Sequence, residues 1–155
     1  YKLENGKYVC PTPIEETLSM SRFITQVVLT GANRPYNVAL IVPDWAAIRT
    51  ALKLDSSISE DELATRDDVH ELVTQDVAAK CANMKKFEVP QKWAFVAPFT
   101  AANDMLTPKM SIRRHKVIAT YADVTERLYN SGEETSANAT PTTTTTTENN
   151  KEQAA

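Results

Sequence analysis

Phe23-Ile24-Thr25-Gln26-Val27-Val28-Leu29-Thr30 is followed, after Gly31-Ala32-Asn33-Arg34-Pro35, by Tyr36-Asn37-Val38-Ala39-Leu40-Ile41-Val42. The two outer runs are apolar and rich in β-branched side chains, the composition of buried strands. The segment between them begins with Gly and ends with Pro, which turns the chain, so the runs are read as an antiparallel pair. Pro43 stops the second strand. Asp44 then caps a helix expected over residues 45–54, with Trp45, Ile48 and Leu52 on one stripe.

Toward the N-terminus, Tyr1-Lys2-Leu3 and Tyr8-Val9-Cys10 flank Asn5-Gly6. That dipeptide predicts a hairpin in which both turn residues take φ > 0. A helix is expected from Thr12 to near Ser21. Thr12 would be its N-cap, Pro13 its first helical residue and Glu15 the partner that completes a capping box, a feature worth about 1 kcal/mol.

Toward the C-terminus, residues 55–59 read as a loop and 60–64 as a short helical turn. A longer helix is expected over residues 67–86, acidic at its start and carrying Lys80, Lys85 and Lys86 near its end, as the helix dipole favours. Val69, Leu72, Val73, Val77 and Cys81 form its apolar face, with Met84 close by. Val89-Pro90 ends it. Residues 92–97 read as a third strand, 98–110 as a loop, 111–121 as a helix and 123–129 as a final helical turn. The pattern is an α+β domain over residues 1–130, with an N-terminal β-hairpin and a three-stranded sheet packed by helices. Residues 131–155 contain six consecutive threonines and no aromatic side chain. Such a tail cannot bury enough surface to offset its ordering entropy and is expected to be disordered.

The charge balance narrows the function. Net charge over the 155 residues is -3. Residues 1–130 carry 16 acidic and 16 basic side chains, so the excess lies in the tail. A neutral body does not pull toward nucleic acid or anionic membrane. Cys10 and Cys81 lie at no metal-ligand spacing and read as indifferent thiols. No apolar run approaches the roughly 20 residues of a membrane span, and no signal peptide is visible, so the expected location is intracellular, in the cytoplasm or on the cytosolic face of a membrane. The chain opens inside what reads as structured sequence, so further residues are expected upstream.

Few segments carry chemistry. Three glycines are too few for a phosphate loop, and no HExxH or serine elbow is present. His70 and His115 fall in helical stretches and read as surface residues. Leu106-Thr107-Pro108-Lys109-Met110-Ser111-Ile112-Arg113-Arg114-His115-Lys116 stands apart. It runs from a loop into a helix N-terminus and carries Lys109, Arg113, Arg114 and Lys116. By composition this is a solvated basic face. Cations at a helix N-terminus oppose the dipole, however, and a loop lysine can stabilise charge developing on a phosphoryl group. A nucleic-acid domain using the same cluster is disfavoured by the neutral body and the lack of interleaved aromatic residues.

Three segments, in order, resemble the C-terminal domain of adenylate-forming acyl-CoA synthetases of the long-chain fatty acid type. Residues 1–15, ending Pro11-Thr12-Pro13-Ile14-Glu15, resemble the motif after the family's hinge. Residues 25–31 with 39–44 resemble its strand pair, and residues 105–114 its last motif. The resemblance implies a small lid that closes on an N-terminal adenylation domain in two orientations. In one, a lysine meets the ATP phosphates and the carboxylate as the acyl-adenylate forms and pyrophosphate leaves. In the other, the hairpin faces the site while coenzyme A attacks and AMP leaves.

The lysine role then falls on Lys109, although many long-chain members carry that lysine two places later, where this chain has Ser111. Arg113 falls in the same motif as a substrate-binding residue. Lys2 and Gly6 match positions that face the site in the second orientation. ATP and coenzyme A are implied as substrates, with magnesium held by ATP and the N-terminal domain and no metal site in this chain. The implied partners are that domain, fatty acid and coenzyme A. By itself such a chain would be an incomplete ligase. The alternative is a stand-alone binding or regulatory module on the same fold.

Overall fold

The computed structural model describes residues 1–130, so the expectation of a disordered tail lies outside the described residues. Among the described residues the order is α1 (Pro11–Leu18), β1 (Ile24–Thr30), β2 (Val38–Pro43), α2 (Trp45–Leu52), α3 (Glu60–Thr65), α4 (Asp67–Lys80), β3 (Lys92–Phe95), α5 (Arg114–Thr120) and α6 (Ala122–Asn130). This is the expected α+β class. The sheet is mixed, in the order β1-β2-β3. β1 and β2 are antiparallel, with Val28 opposite Leu40. β2 and β3 are parallel, with Leu40 opposite Ala94, and α2, α3 and α4 make the crossover that parallel pairing requires.

β2 is the central strand and every residue in it is buried. Burial on both faces explains why its sequence is continuously apolar rather than alternating. Alternation still sorts its side chains. Ala39, Ile41, Leu29, Trp93 and Phe95 face one core, completed by α1, α2, α3 and α4. Val38, Leu40, Val42, Val28, Ala94 and Val96 face a second core with Val117, Tyr121, Val124 and Leu128 of the last helical region. A register shift between Ile24 and Gln26 puts Ile24 and Val27 on the same side despite their spacing.

Three local expectations are corrected. The turn at Asn5-Gly6 is a three-residue loop in which only Gly6 has positive φ, at 85°. The Gly6 N–H donates to the Leu3 carbonyl at 3.0 Å and the Leu3 N–H to the Lys7 carbonyl at 2.9 Å. This is a turn with a glycine bulge, not a two-residue primed turn. α1 starts at Pro11 with Cys10 at the N-cap and no side-chain cap, so the capping box of Thr12 and Glu15 does not form. The Glu15 carboxylate is used across the fold instead. α4 ends at Lys80, leaving Lys85 and Lys86 beyond it, because the chain turns tightly at Cys81 with the Met84 N–H donating to the Cys81 carbonyl at 3.0 Å.

His70 is also not a plain surface residue. Its ring stacks on Trp93 at 5.1 Å, and Nε2 lies 2.6 Å from the Ala64 carbonyl. Cys10 is exposed and Cys81 buried, both as free thiols.

Aromatic residues close the edge where the chain begins and α6 ends. The Tyr129 hydroxyl donates to the Tyr36 carbonyl at 2.8 Å, and the Arg34 guanidinium lies over the Tyr129 ring at 4.7 Å. Burial pushes the Tyr129 phenol up to about 12, against an opposing pull from Arg34. Burial raises Tyr1 as well, followed by the phenol of Tyr129 and the carboxylate of Glu15. A raised phenol pKa means the folded state keeps a proton that the unfolded chain releases. The stability these groups contribute is present below the ordinary value of 10.0 and is lost as pH climbs toward 12. Spectrophotometric titration should find both phenols still neutral at pH 11, about one unit above the ordinary value, until the fold opens. Their ionisation at the ordinary value with the fold intact would refute this burial.

Candidate functional site

The segment carrying Lys109 is a second tight hairpin built like the first. Leu106 and Ile112 pair antiparallel, as Lys2 and Tyr8 do. The Thr107 N–H donates to the Ser111 carbonyl at 2.8 Å and the Met110 N–H to the Thr107 carbonyl at 2.8 Å. Pro108 presets the turn, and Met110, at φ 65°, stands where the first hairpin uses Gly6. The Thr107 Oγ1 also accepts from the Ser111 N–H at 3.1 Å. Lys109 therefore sits at the tip of a loop closed on both sides. It is exposed, and its amine has no hydrogen bond or ion pair among the described residues.

The base of this hairpin is tied to the sheet. Gln26 of β1 holds Phe99 at both polar groups: its Nε2 donates to the Phe99 carbonyl at 3.1 Å, and its Oε1 accepts the Phe99 N–H at 2.8 Å. Asn103 braces the next turn by accepting from the N–H groups of Thr100 at 3.0 Å and Met105 at 3.2 Å. Arg113 forms an ion pair with Asp104, and its N–H donates to the Met105 carbonyl at 2.8 Å. Phe99, Met105 and Leu106 are buried in the second core. Lys109 is thus a flexible side chain on a fixed mount.

The basic cluster does not act as one face. Arg114 turns inward and pairs with Glu15 of α1, and its Nη1 also donates to the Leu29 carbonyl at 3.2 Å. The same Glu15 carboxylate accepts the Leu29 N–H at 2.6 Å. The adverse cation at the start of α5 is therefore offset by a carboxylate from another element. The sequence marks Arg114 only as part of the cluster and leaves unmarked Glu15 as its partner and Gln26 and Asp104 as supports of the Lys109 hairpin. A polar Gln26 within an apolar strand was the one visible signal.

Of the other candidate residues, Lys2 and Gly6 lie on the first hairpin, both exposed. The Lys2 carbonyl accepts from the Asn33 N–H at 2.9 Å and the Glu4 N–H donates to the Arg34 carbonyl at 2.9 Å, which fixes this hairpin to the β1–β2 connection. A Cβ on Gly6 would meet nothing within 4 Å. Only the positive φ demands glycine within this chain. Among the described residues, the large apolar side chains left exposed are Tyr8, Met110, Ile112 and Met20. The first three belong to the two hairpins.

Residues 2–133 match the family described as AMP-binding enzyme C-terminal domain. The chain belongs to that family. Over 139 residues it is 31% identical to long-chain-fatty-acid–CoA ligase 5 of Mus musculus, covering 86% of this chain and 20% of that protein. It is 33% identical over 127 residues to a chloroplastic long-chain-fatty-acid–[acyl-carrier-protein] ligase of Arabidopsis thaliana, covering 82% of this chain and 16% of that protein. The adenylation domain of a carboxylate reductase from Mycobacterium chelonae has the same fold, with a TM-score of 0.71 and 21% identity over 84% of this chain and 19% of that one. This AMP-binding C-terminal domain spans about a fifth of the length of the relatives it matches. Among its described residues no helix is long and apolar enough to cross a membrane.

Proposed function

We propose that this domain is the lid of a long-chain fatty acid–CoA ligase, which uses ATP to join fatty acid to coenzyme A through an acyl-adenylate, releasing pyrophosphate and then AMP. The observation that carries the reading is the pair of matching hairpins, one presenting a Lys109 that is unpaired among the described residues and the other a bare Gly6, with three of the four large apolar side chains exposed among the described residues lying on them. Exposed apolar groups beside a free cation suit a surface that closes against a partner, here an N-terminal adenylation domain. In the adenylating orientation Lys109 meets the phosphates and the carboxylate as charge develops there. Arg113, fixed by Asp104, steadies the lysine hairpin and contributes to binding the nucleotide. In the thioester-forming orientation Lys2 and Gly6 border the path of the thiol, with glycine permitting close backbone approach. Magnesium arrives with ATP and is held by the other domain. The assembly works inside the cell, where ATP and coenzyme A are available. Relatives whose names specify coenzyme A and a carrier protein as acceptors favour thioester chemistry as the common step.

The test is a split between half-reactions in the ligase that carries this domain. Gly6→Asn keeps the left-handed turn, which asparagine tolerates, while adding a side chain. Thioester formation from supplied acyl-adenylate should fall roughly tenfold, equivalent to about 1.4 kcal/mol, with pyrophosphate exchange unchanged. Equal losses in both half-reactions, or none in either, would refute the assignment of the first hairpin.

A further inference from the structure

Gln26 is the only amide side chain in β1, among residues that are otherwise apolar or hydroxylated. It lies opposite Val42 of β2, just past the register shift at Ile24, and on the same face as Val28, toward the second core. Its planar amide carries both a donor and an acceptor, and both go to one residue. Phe99 donates its N–H to the amide oxygen at 2.8 Å and accepts the amide N–H at its carbonyl at 3.1 Å. A neighbouring strand would pair with Phe99 in the same way; here a side chain takes its place. Phe99 is buried, so its backbone groups depend on this partner.

From Phe99 a short run of backbone bonds reaches the lysine hairpin. The Thr100 carbonyl accepts from the N–H groups of Met105 and Leu106, both at 3.1 Å. Leu106 then pairs with Ile112 to open the hairpin that carries Lys109. The other leg leaves the hairpin at Arg114, which donates to the Leu29 carbonyl at 3.2 Å. Both legs are therefore anchored on β1, one at Gln26 and one at Leu29. The Arg114 anchor hangs on a long, part-exposed side chain, whereas Gln26 grips backbone at two points. Two anchors fix the direction in which a hairpin projects, where one alone would leave a pivot.

We propose that Gln26 is a positioning residue for adenylation: by clamping Phe99 it sets where the Lys109 amine stands when the lid closes. The proposal rests on the reading of Lys109 as the adenylation lysine. Gln26 acts through the hairpin and not on substrate. A displacement of about 1 Å in a group that stabilises the transition state can cost roughly 10²-fold in rate. Thioester formation, which uses the other hairpin, should not depend on this clamp.

Two substitutions test it. Gln26→Leu keeps the bulk and removes both bonds. Gln26→Glu keeps the shape, but its carboxylate sets an oxygen without a proton against the Phe99 carbonyl. That contact disfavours the charged form and lifts the carboxyl above its ordinary value, and the protonated acid regains the missing donor. Pyrophosphate exchange and thioester formation from supplied acyl-adenylate are measured in the ligase that carries this domain, between about pH 5 and 8, with thermal unfolding followed alongside. At neutral pH both variants should lower kcat for exchange by roughly 10–10²-fold, with KM for the fatty acid and the thioester rate unchanged. Relative to the unsubstituted enzyme, the Gln26→Glu loss should shrink as pH falls through the raised carboxyl pKa, while the Gln26→Leu loss stays constant. Should Gln26→Leu fail to fold, the acid recovery of Gln26→Glu decides. Unchanged exchange in both variants, equal loss in both half-reactions, or a Gln26→Glu loss that does not recover in acid would overturn the proposal. Lys109→Ala assayed beside them separates the two readings. Normal exchange there removes the role of Lys109 and this inference with it, whereas slow exchange there with normal exchange in the Gln26 variants removes this inference alone.

Discussion

Replacing Lys109 with Ala should lower acyl-adenylate formation by roughly 10²–10³, the loss seen when one fixed donor to developing negative charge is removed. The same variant should form thioester from supplied acyl-adenylate at an unchanged rate. The hairpin does not depend on the Lys109 side chain, because its closing hydrogen bonds come from the backbone of Thr107, Met110 and Ser111 and from the Thr107 hydroxyl. The substitution therefore removes a charge and leaves its mount in place. Lys109→Arg should recover only part of the rate, since a planar fork cannot reproduce a compact ammonium at one phosphate oxygen. Ser111 cannot substitute, because its N–H and carbonyl both close the turn and its hydroxyl carries no charge. Pyrophosphate exchange measured beside the thioester step decides the matter. Equal loss in both would show that Lys109 serves the fold or the domain closure rather than adenylation.

Replacing Glu15 with Ala should cost the fold about 2–4 kcal/mol. The carboxylate accepts the buried Leu29 N–H at 2.6 Å and pairs with the Arg114 guanidinium, so its removal leaves a backbone donor and a cation uncompensated at once. Breaking a fully buried pair costs about 3–5 kcal/mol, and the partial exposure of Arg114, 36% against 12% for Glu15, moderates that figure. Glu15 holds the Arg114 pKa above its ordinary value, and without that carboxylate the guanidinium still stays charged, because arginine is intrinsically basic far above neutral pH. Thermal unfolding should fall by about 10 °C. Glu15→Gln, which can still accept from Leu29, should lose clearly less. A shift no larger than that of an exposed control such as Glu16→Ala would show that the pair is dispensable. Because Arg114 follows directly on Arg113 and the lysine hairpin, weakening this link should also slow adenylation without touching substrate.

Much of the scaffold was legible because burial imposes periodicity. The apolar runs at residues 23–30 and 36–42 read as buried strands, and Asp44 could serve as the cap it is, accepting the Ala47 N–H at 3.0 Å. The hairpin at Asn5-Gly6 was also readable, although its turn type was not. Asn-Gly signals a reversal, but the alignment of Leu3 with Lys7 sets the number of loop residues. The capping box failed for a related reason. Thr12 and Glu15 have the right spacing, yet the carboxylate gains more from Leu29 and Arg114 across the core than from a local backbone donor. Local patterns are outcompeted wherever a distant partner offers a charged hydrogen bond in a buried setting.

The same division runs through the candidate site. Sequence alone marked Lys109, Arg113, Lys2 and Gly6 and indicated an N-terminal hairpin and a three-stranded sheet packed by helices, while the Lys109 hairpin read as a loop. The sequence could not tell that Arg114 leaves the basic cluster for Glu15, that Gln26 fastens the Lys109 hairpin to β1, or that the buried Asn37 side chain donates to the carbonyls of Phe87 and Glu88. Those pairings join residues separated by 50 to 99 positions. Strand and turn preferences act over a few residues and are written directly in the chain, whereas the partner of a buried polar group exists only after the elements have packed.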